Sequence, residues 1–133
     1  MRKIDIESSK FFWSQNTTDF KRFQKNTEVV VYEHYTGNFI SCNFYLHNNK
    51  IARLRYENGV LKTLIVKTCG WNTRTTASRL NAIFKNSPLP FLNSYRVRIK
   101  GGVMHLNDEP LEGEVTINLQ TIINKRRMFN ENN

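Results

Sequence analysis

Between Glu28 and Thr68 apolar and polar residues alternate in four runs, "EVVVYEHY", "FISCNFYL", "KIARLRYE" and "VLKTLIVKT". Thr36-Gly37-Asn38, His47-Asn48-Asn49 and Asn58-Gly59 separate them. Period-two alternation broken by turn-forming residues predicts a four-stranded antiparallel meander. Asn-Gly between two such runs is the strongest short-range hairpin signal, because both residues accept the left-handed backbone that a tight turn needs.

The same alternation predicts register. A two-residue turn at Asn48-Asn49 would set Phe44 against Arg53 and part the apolar set of one strand from that of the next. A three-residue loop His47-Asn48-Asn49 instead pairs Phe44 with Ala52 and Cys42 with Leu54. Across Asn58-Gly59, Tyr56 then pairs with Leu61 and Leu54 with Thr63, leaving Arg55 opposite Lys62 and Arg53 opposite Leu64 on the outer face. Opposed like charges cost a few tenths to about 1 kcal/mol, so solvent screens them or an anion neutralises them. "VLKTLIVKT" is apolar on both faces, with Leu61 and Ile65 inward and Val60, Leu64 and Val66 outward. That outward set needs cover from the chain or a partner.

Thr73 is a candidate N-cap, followed by a predicted helix from Thr75 to Lys85 whose apolar stripe is Ala77, Leu80, Ile83 and Phe84. Pro88 and Pro90 end it. "YRVRIK", Gly101-Gly102 and "VMHLN" predict a second hairpin with Tyr95, Val97 and Ile99 inward and Arg96, Arg98 and Lys100 outward. The acidic loop "DEPLEGE" leads to a short strand near Val115 to Leu119 and offers a partner for the basic row. Upstream, "FFWSQNTTDFKRFQKN" predicts a short helix over the sheet, with Thr17 or Thr18 as its cap. Lys125-Arg126-Arg127 lies in an Asn-rich tail expected to stay solvated.

Charge narrows the function. The 133 residues hold 20 Lys+Arg against 11 Asp+Glu, a net charge of +9. No acid occurs between Asn58 and Asn107, a stretch holding Lys62, Lys67, Arg74, Arg79, Lys85, Arg96, Arg98 and Lys100. A merely soluble surface intersperses both signs, so this asymmetry favours nucleic acid, phosphate ligands or an acidic partner. At the predicted helix start, Arg74 faces a dipole that prefers an acid. Two readings stand: an anion held by the helix N–H groups with Thr73, Thr75 and Thr76, or a plain Thr73 cap with Arg74 in solvent or beside an acid of "DEPLEGE". Trp71 and Tyr45 either stack on bases or, for Trp71, plug the core.

Other chemistry finds no support. Cys42 and Cys69 stand apart, without zinc-ligand spacing. His34, His47 and His105 form no recognisable catalytic order, and no phosphate-binding glycine motif occurs. No apolar run is long enough to span a membrane.

The segments "NFYLHNNKIARLRYENGVLKTLIVKTCGWNTRTTASRLNAIF" and "YRVRIKGGVMHL" together resemble small bacteriophage or prophage proteins. Those proteins carry an "LHGN-x-IA" hairpin, a "GW-x-T-x-TT-x-x-RLN" segment and a "YRV" hairpin. The matching positions include Leu46, His47, Asn49, Ile51 and Ala52, then Gly70, Trp71, Thr73, Thr75, Thr76, Arg79, Leu80 and Asn81. The chain departs from the pattern at Asn48, where glycine is usual, and at Met104-His105, where an aromatic is usual. The resemblance implies a phage or prophage origin and a location in the host cytoplasm. It implies no activity and no site residues.

The expected protein is a single α+β domain over residues 1–133: an antiparallel meander of about four strands, one main helix packed on it and a C-terminal hairpin, with about ten residues fraying at each end. The expected function is non-catalytic nucleic-acid binding by phosphate contacts from Arg53, Arg55, Lys62, Arg74, Arg79, Arg96, Arg98 and Lys100. Thr75 and Thr76 would add anion donors, and Tyr45 and Trp71 would stack. The alternative is a protein-interaction module that binds an acidic host protein, joins a phage assembly or self-associates as a homo-oligomer. A lesser one is capture of a nucleotide-like signal at the helix start. No cofactor, metal or membrane is expected in any of them.

Overall fold

The computed structural model describes residues 1–14, 20–24, 26–34 and 39–119. The fold is α+β. Its main sheet is antiparallel throughout and comprises β1 (Phe20–Phe23), β2 (Thr27–His34), β3 (Phe39–Leu46), β4 (Asn49–Glu57), β5 (Val60–Lys67) and β9 (Glu114–Asn118). Their spatial order is β1-β2-β3-β4-β5-β9. A smaller sheet joins β6 (Val97–Lys100), β7 (Val103–Leu106) and β8 (Glu109–Pro110). Two helices, α1 (Lys3–Trp13) and α2 (Arg74–Lys85), cover one face of the large sheet. The meander is therefore the middle of a wider sheet. Its fourth strand is flanked by β9, whose Glu114 pairs in register with Lys67 of β5, while Asp108 of the acidic loop pairs with Lys100 of the basic row.

Helix α1 falls where fraying was expected, and the predicted N-terminal helix is displaced: Phe20 and Phe23 lie in β1, while Thr17 and Thr18 fall outside the described residues. The buried stripe of α1 is Ile4, Asp5, Ser8, Ser9, Phe12 and Trp13. It has helical spacing, yet half of it is polar, so it shows no apolar period. The Ser8 hydroxyl satisfies itself on the Ile4 carbonyl at 2.6 Å. Trp13 donates its indole N–H to the Ile83 carbonyl of α2 at 2.8 Å, and Phe12 packs edge-on against Phe44 at 5.7 Å.

Asp5 is the main polar anchor of this layer. Its Oδ1 accepts a hydrogen bond from Arg79 Nη1 and its Oδ2 accepts one from Ser78 Oγ at 2.6 Å. Arg79 Nε donates to Thr27 Oγ1 of β2 at 3.2 Å. Asp5 is 0% exposed and Arg79 2%. Arg79 is thus a structural residue locked between α1, α2 and β2, not part of a nucleic-acid surface. A charge this deep is retained only when paired and hydrogen-bonded.

Helix α2 begins as expected. Thr73 has extended backbone and its Oγ1 accepts from the Thr76 backbone N–H at 3.2 Å. Leu80, Ile83 and Phe84 are fully buried, Ala82 joins them, and Ala77 is half-buried. At the other end Asn93 Nδ2 donates to the carbonyls of Phe84, Lys85 and Ser87, closing the helix. Asn81 makes both hydrogen bonds to the Val97 backbone, at 2.7 and 2.9 Å, and so fastens the small sheet to α2.

Two β-bulges correct the expected register. His47 and Asn48 form a two-residue turn, both with positive φ, in place of the three-residue loop. The extra residue is absorbed in β4, where Ile51 lies between Lys50, opposite Tyr45, and Ala52, opposite Phe44. The pairs Phe44–Ala52 and Cys42–Leu54 are as read from the alternation. Beyond the Asn58-Gly59 turn, Tyr56 does pair with Leu61, but a second bulge at Lys62 then sets Arg55 against Thr63 and Leu54 against Leu64. Arg55 and Lys62 are not directly opposed. Leu64 and Val66 point into the core with 0% exposure, so the outward apolar face assigned to them does not exist.

Cys42 is buried and its Sγ lies 3.4 Å from the Phe12 carbonyl. Burial pushes its pKa up to about 12. Cys69 is exposed in the loop between β5 and α2.

Two outcomes test this packing. Asp5→Ala strands the Arg79 guanidinium and should lower unfolding free energy by about 3–5 kcal/mol in urea titration, whereas Asp5→Leu with Arg79→Met should lose far less. A loss under about 1 kcal/mol for Asp5→Ala would deny the pair its role. A disulfide-exchange reagent at pH 8 should titrate Cys69 promptly in the native chain and Cys42 only on unfolding, because the buried thiol is not ionised.

Candidate nucleic-acid interface

The helices occupy one face of the large sheet, and the pleat dictates what the other face carries. Directly paired residues in antiparallel strands share a face. Following the register from Phe20 gives one outward row across all six strands: Phe20, Val30, Asn43, Arg53, Ile65, Thr116. A second runs Tyr32, Ser41, Arg55, Thr63, Asn118. A third, flanking the first on the same face, runs Arg22, Glu28, Tyr45, Lys50. Aromatic rings cluster toward β1–β3 and cations toward β4–β5.

Tyr32 and Tyr45 approach each other across the middle row. Burial first, and then the contact with Tyr32, holds the Tyr45 phenol above its ordinary pKa, while Arg53 pulls the other way. Asn43 is 1% exposed although it faces outward. Its Oδ1 accepts from Arg53 Nε at 2.9 Å, which fixes the guanidinium beside β3. Its Nδ2 is buried with no acceptor among the described residues. Phe20 is 55% exposed and Tyr32 48%, so both present ring surface to solvent. Arg22 is paired with Glu28 at 3.3 Å, and Arg55 is exposed.

At the β4–β5–β9 side of this face lies a pocket of about 80 Å³ lined by Lys50, Ala52, Arg53, Ile65, Lys67 and Glu114. Burial, and then repulsion from Arg53 and Lys67, lowers the Lys50 pKa.

The remaining residues singled out from the sequence are elsewhere. Arg74 is exposed in the first turn of α2, where no acid accompanies it. Thr76 is 1% exposed and its hydroxyl meets that of Thr73 at 3.0 Å, while Thr75 is half-buried. The expected cradle of threonine hydroxyls is therefore largely spent on the cap itself. Arg74, Lys85 and Arg98 line a wide groove between α2 and β6 that also exposes Ala77 and Ile99. Arg96 is exposed and donates to the carbonyls of Asn93 and Tyr95. Lys100 pairs with Asp108 at 2.7 Å; this hydrogen bond and charge hold the Asp108 carboxyl below its ordinary pKa. Lys62 is the bulged, half-buried residue of β5. Trp71 is 51% exposed and does not plug the core; its ring stacks on His47 at 6.3 Å and 27°.

The structure thus unites Tyr45, Arg53 and Arg55 on one face, sets Arg74 and Arg98 in a separate groove, and removes Arg79 and Thr76 from the surface. Tyr32, Phe20 and Lys50 complete the sheet face and were not singled out from the sequence. Alternation in "TEVVVYEH" carried the signal for Tyr32, since Val29 is buried and Val30 and Tyr32 lie on the opposite side.

Among the described residues no helix is long and apolar enough to cross a membrane, and no group of His, Cys, Asp and Glu is placed to hold a metal ion. No curated protein and no solved structure matches the chain. A family described as Kyanoviridae Gp96 protein matches residues 1–128. With nearly the whole chain matched, the protein belongs to this phage family, in keeping with the phage resemblance of its hairpin and "GW" segments.

Proposed function

We propose that this protein is a non-catalytic nucleic-acid-binding protein of the phage, acting in the host cytoplasm, and that a single strand lies across the outer face of its large sheet. One observation carries the reading: the register puts Phe20, Tyr32 and Tyr45 on the same outer face as Arg53, Arg55 and Lys50. Aromatic rings offer stacking platforms to any base, and the neighbouring cations neutralise the backbone. Sequence preference is expected to be weak, because stacking and phosphate contacts do not read base edges.

A protein partner is the second reading, favoured by the groove between α2 and β6. Arg74, Lys85 and Arg98 line it beside apolar Ala77 and Ile99, with no acid among its lining residues. Such a surface suits an acidic segment. Strand β5 no longer supports this reading, since Leu64 and Val66 are core residues. Nucleotide capture at the start of α2 loses its main donors to the Thr73–Thr76 cap.

Fluorescence anisotropy with labelled single- and double-stranded DNA and RNA over a salt series tests the proposal. Single strands should bind more tightly than duplexes, with log affinity falling linearly against log salt. Tyr32→Ala and Tyr45→Ala should each weaken binding roughly 5- to 100-fold, the range for loss of a stacked base. Arg98→Ala should change it little. Absence of binding at low ionic strength would overturn the proposal.

A further inference from the structure

We infer that the pocket between β4, β5 and β9 is a phosphate-binding site, with Lys50, Arg53 and Lys67 as the anion-binding residues and Glu114 as the residue that limits its affinity. The inference deepens the nucleic-acid reading and rests on it only for the source of the phosphate.

The pocket follows from the two bulges. The bulge at Ile51 leaves Lys50 on the outer face opposite Tyr45, one step from the row that holds Arg53. The bulge at Lys62 sets Ile65 opposite Arg53 and so brings Lys67 to the same side, where it pairs in register with Glu114 of β9. Three cations and one carboxylate then line about 80 Å³, an excess of two positive charges. That space holds several waters or one tetrahedral oxyanion.

Cations on a solvated surface spread apart, and these do not. Lys50 is half-buried and its pKa is lowered by desolvation, then by Arg53 and Lys67, while the opposing attraction of Glu114 is the weakest of the contributions. Among the described residues neither Lys50 nor Lys67 forms an ion pair with Glu114. Arg53 is held in place through Nε by Asn43, which leaves its guanidinium edge beside the pocket. A guanidinium with two ammonium groups is the donor set that phosphate oxygens take. The excess of two charges favours a phosphate monoester dianion over a diester monoanion, so a strand end or a free nucleotide should compete better than an internal strand phosphate.

The test is a titration of the ¹⁵N-labelled full chain with inorganic phosphate, at ionic strength matched with chloride, read by amide shifts. Saturable shifts at Lys50, Arg53, Lys67 and Glu114 are expected. Lys67→Gln should weaken phosphate binding about tenfold, and Glu114→Gln should strengthen it about two- to fivefold, the range for one partly exposed charge. A gain of affinity cannot come from misfolding. No localised shift, or shifts that neither variant alters, would overturn the site. Competition then separates the sources. Displacement of phosphate by a 5′-phosphorylated strand, better than by its 5′-hydroxyl form, supports the site on a bound strand. Displacement by mononucleotides alone upholds the pocket while refuting the strand on the sheet.

Discussion

The buried contact between Asp5 and Arg79 is the constraint on which the rest of the arrangement depends. Through one carboxylate it joins α1 to α2, and through Arg79 Nε it joins both to Thr27 at the start of β2. Two charged side chains in the interior are costly unless every bond is made, so the contact demands one placement of the helices over the sheet. The polar interior of one side thus determines which face of the sheet α1 and α2 cover.

The bulges at Ile51 and Lys62 act on the other side of the same sheet. A bulge adds one residue to one strand and reverses the facing of everything beyond it. Without the bulge at Lys62, Leu64 and Val66 would face outward and Ile65 and Lys67 inward. With it, the apolar pair fills the core and Lys67 joins Lys50 and Arg53 on the outer face. One irregularity therefore settles both the packing of β5 and the charge of the outer surface.

Much of this was legible in the sequence. The Asn58-Gly59 turn, the meander, the Thr73 cap and the α2 stripe depend on local chemistry, and local chemistry is what alternation and capping residues report; the expected Thr36-Gly37-Asn38 turn lies outside the described residues. Helix α1 was not legible, because Asp5, Ser8 and Ser9 interrupt the apolar period of its buried stripe. Arg79 read as a surface cation because its counterion lies 74 residues upstream, beyond any local pattern. The bulges escaped for a related reason: a period of two cannot show where one residue is left over. Of the candidate site, Tyr45, Arg53 and Arg55 were visible as outward residues of adjacent strands, whereas Tyr32 and Lys50 joined them only once the cross-strand register was known.

The central claim is that nucleic acid lies on the tyrosine-bearing face of the sheet, and ultraviolet crosslinking of the full chain to a single-stranded oligonucleotide, mapped by mass spectrometry, tests it most directly. The account predicts crosslinks at Phe20, Tyr32 and Tyr45, on β1, β2 and β3. Crosslinks confined to the α2–β6 groove or to Trp71, with none on these strands, would contradict it.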